Sequence, residues 1–272
     1  MKTGFIGVGN MGGAILTGYA SSPRGKKDHI MICDLSRALC EQRMEEIPGL
    51  AMTDSIEDLV RGSDVIILGV KPQGMEPVME VAAKAYTPDK LVISMAAGIS
   101  TEYLENALGK GARVIRIMPN TPAMVGEGMI AVCRGKKATD QDLDTARAIL
   151  ETTGRVETVD EELIDCVIGV SGSSPAYTFM YIEALAQAAV DNGMEAEKAR
   201  AFAAQAVLGA ARLVLESPES LQKLRENVCS PGGTTIEAVK RLLDNGFMDD
   251  VKEGFQAAVD RSIEMTKEKQ GK

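Results

Sequence analysis

Histidine is almost missing from this 272-residue chain: the single copy is His29, in the basic stretch "RGKKDH". A mechanism that relies on a histidine base or a His-rich metal site is therefore disfavoured, and no metal ligand set is expected. His29 itself reads as a plain surface residue. Cysteine is sparse, with five copies (Cys33, Cys40, Cys133, Cys166 and Cys229), odd in number and without a CxxC pair. Reduced thiols in the cytoplasm explain that pattern better than disulfides or zinc. No apolar run approaches the roughly 18 residues of a membrane span, and no secretory signal is expected at the N-terminus. Positive charge is short as well. The formal net charge of -9 argues against a nucleic-acid binder. Lysine and arginine vanish altogether between Arg155 and Lys198, so the first helices of the second half carry no cationic base.

What is present is ordinary globular composition, 45% hydrophobic and 25% charged. In the first half, short β-branched runs at 3–8, 29–34, 64–70, 90–96, 112–118 and 128–133 alternate with helical stretches such as 11–21, 36–46 and 76–86. That alternation predicts a parallel, doubly wound sheet with helices on both faces. The runs "VIILGV" and "LVISMA" read as strands buried on both sides. From residue 161 onward only helical periodicity remains, with stops at Asn192-Gly193 and before Pro218. The division expected is 1–160 for a dinucleotide-binding domain and 161–272 for a helical domain. Several of the late helices are apolar on more than one face, more than about 110 residues can bury alone, so subunit association is expected there.

The first strand runs into Gly7-Val8-Gly9-Asn10-Met11-Gly12, a G-x-G-x-x-G opening a helix, and Asp34 ends the second strand. This is the Rossmann dinucleotide fingerprint in its proper context. Gly7 makes the turn, Gly9 lets backbone approach the pyrophosphate, and Gly12 allows helix and strand to pack closely. The helix start at Asn10 and Met11 offers N–H groups to phosphate. Asp34 suits the ribose hydroxyls of NAD, whereas Ser36 and Arg37 suit the 2′-phosphate of NADP if Asp34 turns aside, and the sequence permits both cofactors. Val70-Lys71-Pro72 and Ala96-Ala97-Gly98 follow strand ends and are expected to line the nicotinamide half. Asn120, in "MPNTP", is expected to hydrogen-bond either the cofactor or its own loop.

Oxidising a hydroxyl needs a base, usually His or Lys, to take the proton. The cation gap at 156–197 counts against a 3-hydroxyacid dehydrogenase. Reducing a C=N bond makes a weaker demand, because an imine is basic enough to be protonated near neutral pH. The iminium then accepts hydride given positioning and a hydrogen-bond partner for nitrogen. The stretch "CSPGGTTIEAV" (229–239) supplies such a partner. Ser230, Thr234 and Thr235 bring hydroxyls, and Gly232, Gly233 and the helix start bring unhindered N–H groups, a cradle suited to a carboxylate. The competing reading is a plain Ser/Thr helix cap, which would leave a dinucleotide-binding oligomer without catalysis.

The motifs "NVCSPGGTTIEAVKRL" (227–242), "GVSGSSPAYTFMYIEAL" (169–185), "VIRIMPNTPAMVGEG" and "FIGVGNMGGAIL" (5–16) together resemble the pyrroline-5-carboxylate reductase family over the whole chain. The resemblance implies reduction of L-1-pyrroline-5-carboxylate to L-proline by NADPH or NADH. It implies that Thr235 hydrogen-bonds the ring nitrogen, that Ser230 with the amides of Gly233 and Thr234 holds the carboxylate, and that Val228 lines the pocket. Glu161 matches a position near the substrate, while Tyr177 reads as core. It further implies a homodimer through an all-α dimerisation domain, larger rings of dimers, and active sites that combine two subunits.

Overall fold

The computed structural model describes residues 1–270, so the last two residues of the expected helical domain lie outside it. The chain forms two compact units. One comprises Met1–Gly172 with the chain from Ala258 onward, and the other comprises Ser173–Ala257.

The first unit is built on an eight-stranded sheet: β1 Lys2–Ile6, β2 His29–Cys33, β3 Ala51–Met52, β4 Val65–Leu68, β5 Leu91–Ser94, β6 Arg113–Met118, β7 Gly128–Arg134 and β8 Gly154–Thr158. Their order is β3-β2-β1-β4-β5-β6-β7-β8, and the first six are mutually parallel. This is the doubly wound order whose switch point lies between β1 and β4.

Side chains alternate between two cores, as the period of a strand requires. Phe5, Val65, Ile67, Ile93, Ile115 and Ile117 point to one face. There they meet α1 (Asn10–Ser21), α2 (Arg37–Glu46) and α6 (Asp140–Leu150) through Ile15, Leu16, Tyr19, Cys40, Ile149 and Leu150. Ile6, Ile66, Leu68, Val92 and Val114 point to the other face, against α3 (Ile56–Gly62), α4 (Met75–Ala85) and α5 (Thr101–Leu108). Most of these side chains are all but inaccessible, and each such aliphatic contributes roughly 1.5–3 kcal/mol.

Three features depart from the sequence reading. β7 runs antiparallel to β6, because the connection over residues 119–127 is too short for the dozen or more residues that a parallel crossover needs. β8 pairs in parallel with β7; its sequence, Gly-Arg-Val-Glu-Thr, carries two charges and lacks an apolar run, as befits an edge strand. β3 is only two residues long, too brief to leave a periodic signal.

After the short α7 (Ile164–Val167) the second unit begins with α8 (Ser174–Asp191) and α9 (Ala196–Glu216), which pack against each other. α10 (Leu221–Val228), α11 (Thr234–Asp244) and the start of α12 (Phe247–Gln270) complete it, with Tyr181 and Phe247 in ring contact at 6.2 Å. Phe179, Met180, Phe202, Leu208 and Leu215 are each more than half exposed in the single chain, the excess of apolar surface that the sequence anticipates. No helix among the described residues is long and apolar enough to cross a membrane.

Candidate active site

The glycine loop is shaped for a pyrophosphate. Gly7 has φ +90°, and a Cβ there would lie 2.7 Å from the carbonyl carbon of Gly69, while a Cβ on Gly12 would lie 2.2 Å from the Gly7 carbonyl oxygen. The two loops at the ends of β1 and β4 thus touch through backbone, which only glycine permits. At Gly9 an added Cβ would meet nothing within 4 Å, so this stretch of backbone is open to a ligand. Gly9 caps α1 without a side-chain hydrogen bond, and the first turn carries no acidic residue. The orphan N–H groups at Asn10, Met11 and Gly12, together with the positive end of the helix dipole, fit a diphosphate.

At the ribose corner, Asp34 is anchored by backbone. Val8 N–H donates to its Oδ2 and Ser36 N–H to its Oδ1, both at 2.9 Å. Its carboxylate therefore closes the glycine loop onto the end of β2 while retaining further lone pairs for a ribose. Ser36 caps α2 by accepting from Leu39 N–H, and Arg37 reaches Glu41 (3.0 Å) and Asp54 (3.2 Å) at the surface. Exposed pairs of this kind are weak, so Arg37 is free to turn to a phosphate. Next to Asp34, burial pushes the Cys33 thiol above its usual range.

Val70, Lys71 and Pro72 follow β4, with Lys71 exposed at the head of a short turn, Pro72–Gly74. Ala96, Ala97 and Gly98 follow β5, Ala96 and Gly98 buried and Ala97 half-buried. These loops stand at the carboxyl ends of adjacent parallel strands, where open α/β sheets bind ligands. Asn120 spends its amide on its own surroundings: Nδ2 donates to the Ser171 carbonyl (3.0 Å) and Oδ1 accepts from Met129 N–H (2.9 Å). Of its two expected roles, the geometry shows the one that holds the loop.

Glu161 is likewise engaged within the first unit. Its Oε1 accepts from Thr101 N–H (2.8 Å) and Arg116 Nη1 (3.0 Å), and its Oε2 accepts from the Thr101 hydroxyl (2.5 Å). Thr101 N–H is an orphan donor in the first turn of α5, and Arg116 is only 4% exposed. Glu161 thus staples β6 to α5. The sequence reading passed over Thr101 and Arg116, although an arginine inside "RVIRIM" signals a buried charge in need of a partner. A groove of about 780 Å³ on this side is lined by Glu161, Thr101, Cys133 and Lys136, and by none of the glycine-loop residues. Burial raises the Cys133 thiol to about 12.

In the second unit, the elbow between α10 and α11 has the form of an anion cradle. Gly232 turns the chain with φ +71°. Gly233 is the N-cap of α11 and makes no side-chain cap hydrogen bond, so the plain Ser/Thr cap is not what is formed. Gly233 N–H is used inside the turn, donating to the Ser230 carbonyl at 3.0 Å. The N–H groups available to an anion are then those of the first helical turn, beginning at Thr234 and Thr235. Ser230 and Thr234 are exposed and Thr235 is half-buried, and Val228 is 62% exposed beside them. Tyr177, on α8, is half-buried, with its hydroxyl enclosed.

Known proteins share this arrangement along its whole length. Residues 161–265 match the family model described as pyrroline-5-carboxylate reductase dimerisation, and residues 2–98 match that of NADP oxidoreductase, coenzyme F420-dependent. The pyrroline-5-carboxylate reductase of Escherichia coli (strain K12) is 41% identical over 266 residues, 98% of each chain. The crystal structure of the Plasmodium falciparum pyrroline carboxylate reductase with NADP bound superposes with a TM-score of 0.87 at 30% identity, covering 98% of both chains. That of a pyrroline-5-carboxylate reductase from Coxiella burnetii gives 0.88 at 34% identity, covering 97% of this chain and 98% of the other. A prephenate dehydrogenase from A. aeolicus, at 20% identity and a TM-score of 0.54, shares the fold alone. With a dimerisation-family match over residues 161–265 and relatives of this identity across the full length, the chain belongs to the pyrroline-5-carboxylate reductase family.

Proposed function

We propose that this protein reduces L-1-pyrroline-5-carboxylate to L-proline, using NADPH or NADH. The observation that carries the reading is the elbow at 229–235: a helix start with no side-chain cap, ringed by Ser230, Thr234 and Thr235 and turned by Gly232. Its setting in a chain with a complete dinucleotide loop supplies the rest.

The bound nicotinamide supplies a hydride from C4 to ring C5 of the substrate. The protein's own part is binding and orientation. Gly7, Gly9 and Gly12, with the N–H groups at Asn10 and Met11, hold the pyrophosphate. Asp34, Ser36 and Arg37 meet the adenosine ribose, and Val70, Lys71, Pro72, Ala96, Ala97 and Gly98 border the nicotinamide. Ser230 and the N–H groups of Thr234 and Thr235 hold the substrate carboxylate. The Gly233 amide shapes the turn instead, because its N–H is already spent on Ser230. Val228 covers the apolar edge of the ring. Thr235 hydroxyl accepts a hydrogen bond from the protonated ring nitrogen and stays with the amine of the product. No titrating base is required, in keeping with the lone histidine at position 29.

Two copies pair through the apolar faces of α8 and α9, a reading supported by the dimerisation model over 161–265 and by the exposed Phe179, Met180 and Phe202. We further assign larger rings of dimers, active sites shared between subunits and a cytoplasmic setting, the last supported by five unpaired thiols.

The test is nucleotide consumption at 340 nm with L-1-pyrroline-5-carboxylate, run in parallel with NADPH and NADH. Proline formation is expected. A panel of hydroxyacids with NAD(P) is the counter-assay: nucleotide reduction there, with none consumed by the imine, overturns the reading. Nucleotide binding with no turnover on either panel would mark a binding protein instead.

A further inference from the structure

The last turns of α12 rest on the loop that follows β5. Gly98 has φ +69°, and a Cβ on it would lie 3.2 Å from Met265 Cβ and 3.4 Å from the Met265 carbonyl carbon. The helix backbone itself therefore sits against the loop, and only glycine leaves room for it. One turn earlier Ser262, 4% exposed, donates to Asp165 Oδ1 at 2.5 Å. Asp165 belongs to α7, whose Ile164 is buried with Met118, Ala131 and Cys133, and Ala97 of the same loop packs on that cluster. Residues 96–98 are thus held at two points, Ala97 by the α7 cluster and Gly98 by α12. The Ser262–Asp165 bond ties these two supports together.

We propose that Asp165, Ser262 and Met265 are positioning residues for hydride transfer, fixing the height of the 96–98 loop beneath the nicotinamide. The inference rests on the proposed reductase reading. Ala96, Ala97 and Gly98 have no long side chain to take up slack, so the loop's position is set by what packs behind it. Hydride transfer is sensitive to such displacement, since a shift of about 1 Å in a reacting group is worth up to about 100-fold in rate. Nucleotide affinity, dominated by the pyrophosphate cradle on another loop, is far less exposed to it.

The experiment compares the full-length Asp165→Ala and Ser262→Ala variants, which break the bond, with Asp165→Asn, which keeps the acceptor oxygen. Met265→Gly is the milder fourth variant, removing the Cβ that lies nearest Gly98. We expect kcat to fall about three- to tenfold in the two bond-breaking variants and in the same direction for Met265→Gly. NADPH affinity by fluorescence titration should change by less than about twofold. The primary deuterium isotope effect on kcat, with NADPH deuterated at C4, should rise, because hydride transfer becomes more rate-limiting. Asp165→Asn should stay within about twofold of wild type. Amide hydrogen exchange over residues 95–101, which needs no turnover, should be about tenfold faster in Asp165→Ala. Wild-type kcat and unaltered exchange in the bond-breaking variants overturn the proposal, as does Asp165→Asn behaving like Asp165→Ala. If Asp165→Ala fails to fold, Ser262→Ala and Met265→Gly decide, and an unchanged isotope effect in both overturns it. An inactive wild type refutes the reductase reading, whereas the exchange result still reports on the clamp.

Discussion

Replacing Glu161 by alanine should cost stability before it costs substrate binding. The carboxylate serves three donors: Thr101 N–H, the Thr101 hydroxyl and Arg116 Nη1. Its loss leaves an orphan helix N–H unpaired and strands a guanidinium that is 4% exposed and whose Nε and Nη2 find no acceptor among the described residues. Removing one partner of a buried ion pair costs roughly 3–5 kcal/mol. Glu161 is itself 28% exposed, so water can partly replace it and the lower end applies, about 3 kcal/mol. At roughly 2–4 °C per kcal/mol for a domain of this size, Tm should fall by about 6–12 °C. The melting curves must be taken at one protein concentration, since association shifts Tm by mass action. Glu161→Gln, which keeps an acceptor oxygen but no charge, should lose about half as much. The double variant Arg116→Met/Glu161→Ala should be no less stable than Glu161→Ala alone, because it removes the stranded charge along with its partner. KM for L-1-pyrroline-5-carboxylate in Glu161→Ala should stay within about threefold of wild type. A Tm within about 2 °C of wild type, joined to a tenfold rise in KM, would refute this reasoning and make Glu161 a substrate ligand.

Three further outcomes follow from the same coordinates. Thr235→Ala should cut kcat by tenfold or more while NADPH affinity, measured by fluorescence titration, changes by less than about twofold; wild-type turnover would remove Thr235 from the mechanism. Asp34→Asn should shift the NADPH:NADH ratio of kcat/KM toward NADPH by about tenfold. That is the roughly 1.4 kcal/mol of repulsion between a carboxylate and a doubly charged phosphate ~6 Å apart in a water-like dielectric; an unchanged ratio would show that the 2′ position does not sense this carboxylate. Alkaline unfolding should reveal Tyr19, fully buried and hydrogen-bonded to Asp28, whose hydroxyl burial raises from 10.0 to about 12. Because the folded state binds this proton more tightly, the contribution is complete below pH 10 and is lost as pH rises towards 12. Roughly 2–3 kcal/mol is at stake, and Tyr19→Phe should flatten that part of the stability curve between pH 10 and 12.

How far the sequence reaches depends on whether a feature is local. The alternation of apolar runs and helices located β1, β2, β4, β5, β6 and β7, because each strand is largely buried on both faces and is mostly apolar. β8 escaped because one of its sides is the sheet edge, where Arg155 and Glu157 pair with each other at 2.8 Å and dilute the pattern. The direction of β7 was legible in principle, since a connection as short as 119–127 cannot carry a parallel crossover, but it requires counting loop length as well as reading strands. The glycine loop was readable because Gly7 and Gly12 answer backbone approaches that any larger residue would block, while Gly9 leaves its stretch of backbone open. What stays hidden is the partner of a given side chain. Glu161 looks like any acid after a strand until Arg116 and Thr101, 45 and 60 residues away, are seen on it. Asn120 and Asp34 likewise show what an amide or carboxylate can bind, and only the fold shows that backbone engages both the nitrogen and the oxygen of one and both oxygens of the other. The elbow at 229–235 sits between these cases. Its residue types suggest an anion site, but only the fold shows that the Gly233–Ser230 bond withdraws one N–H into the turn and leaves those of the first helical turn without a side-chain cap.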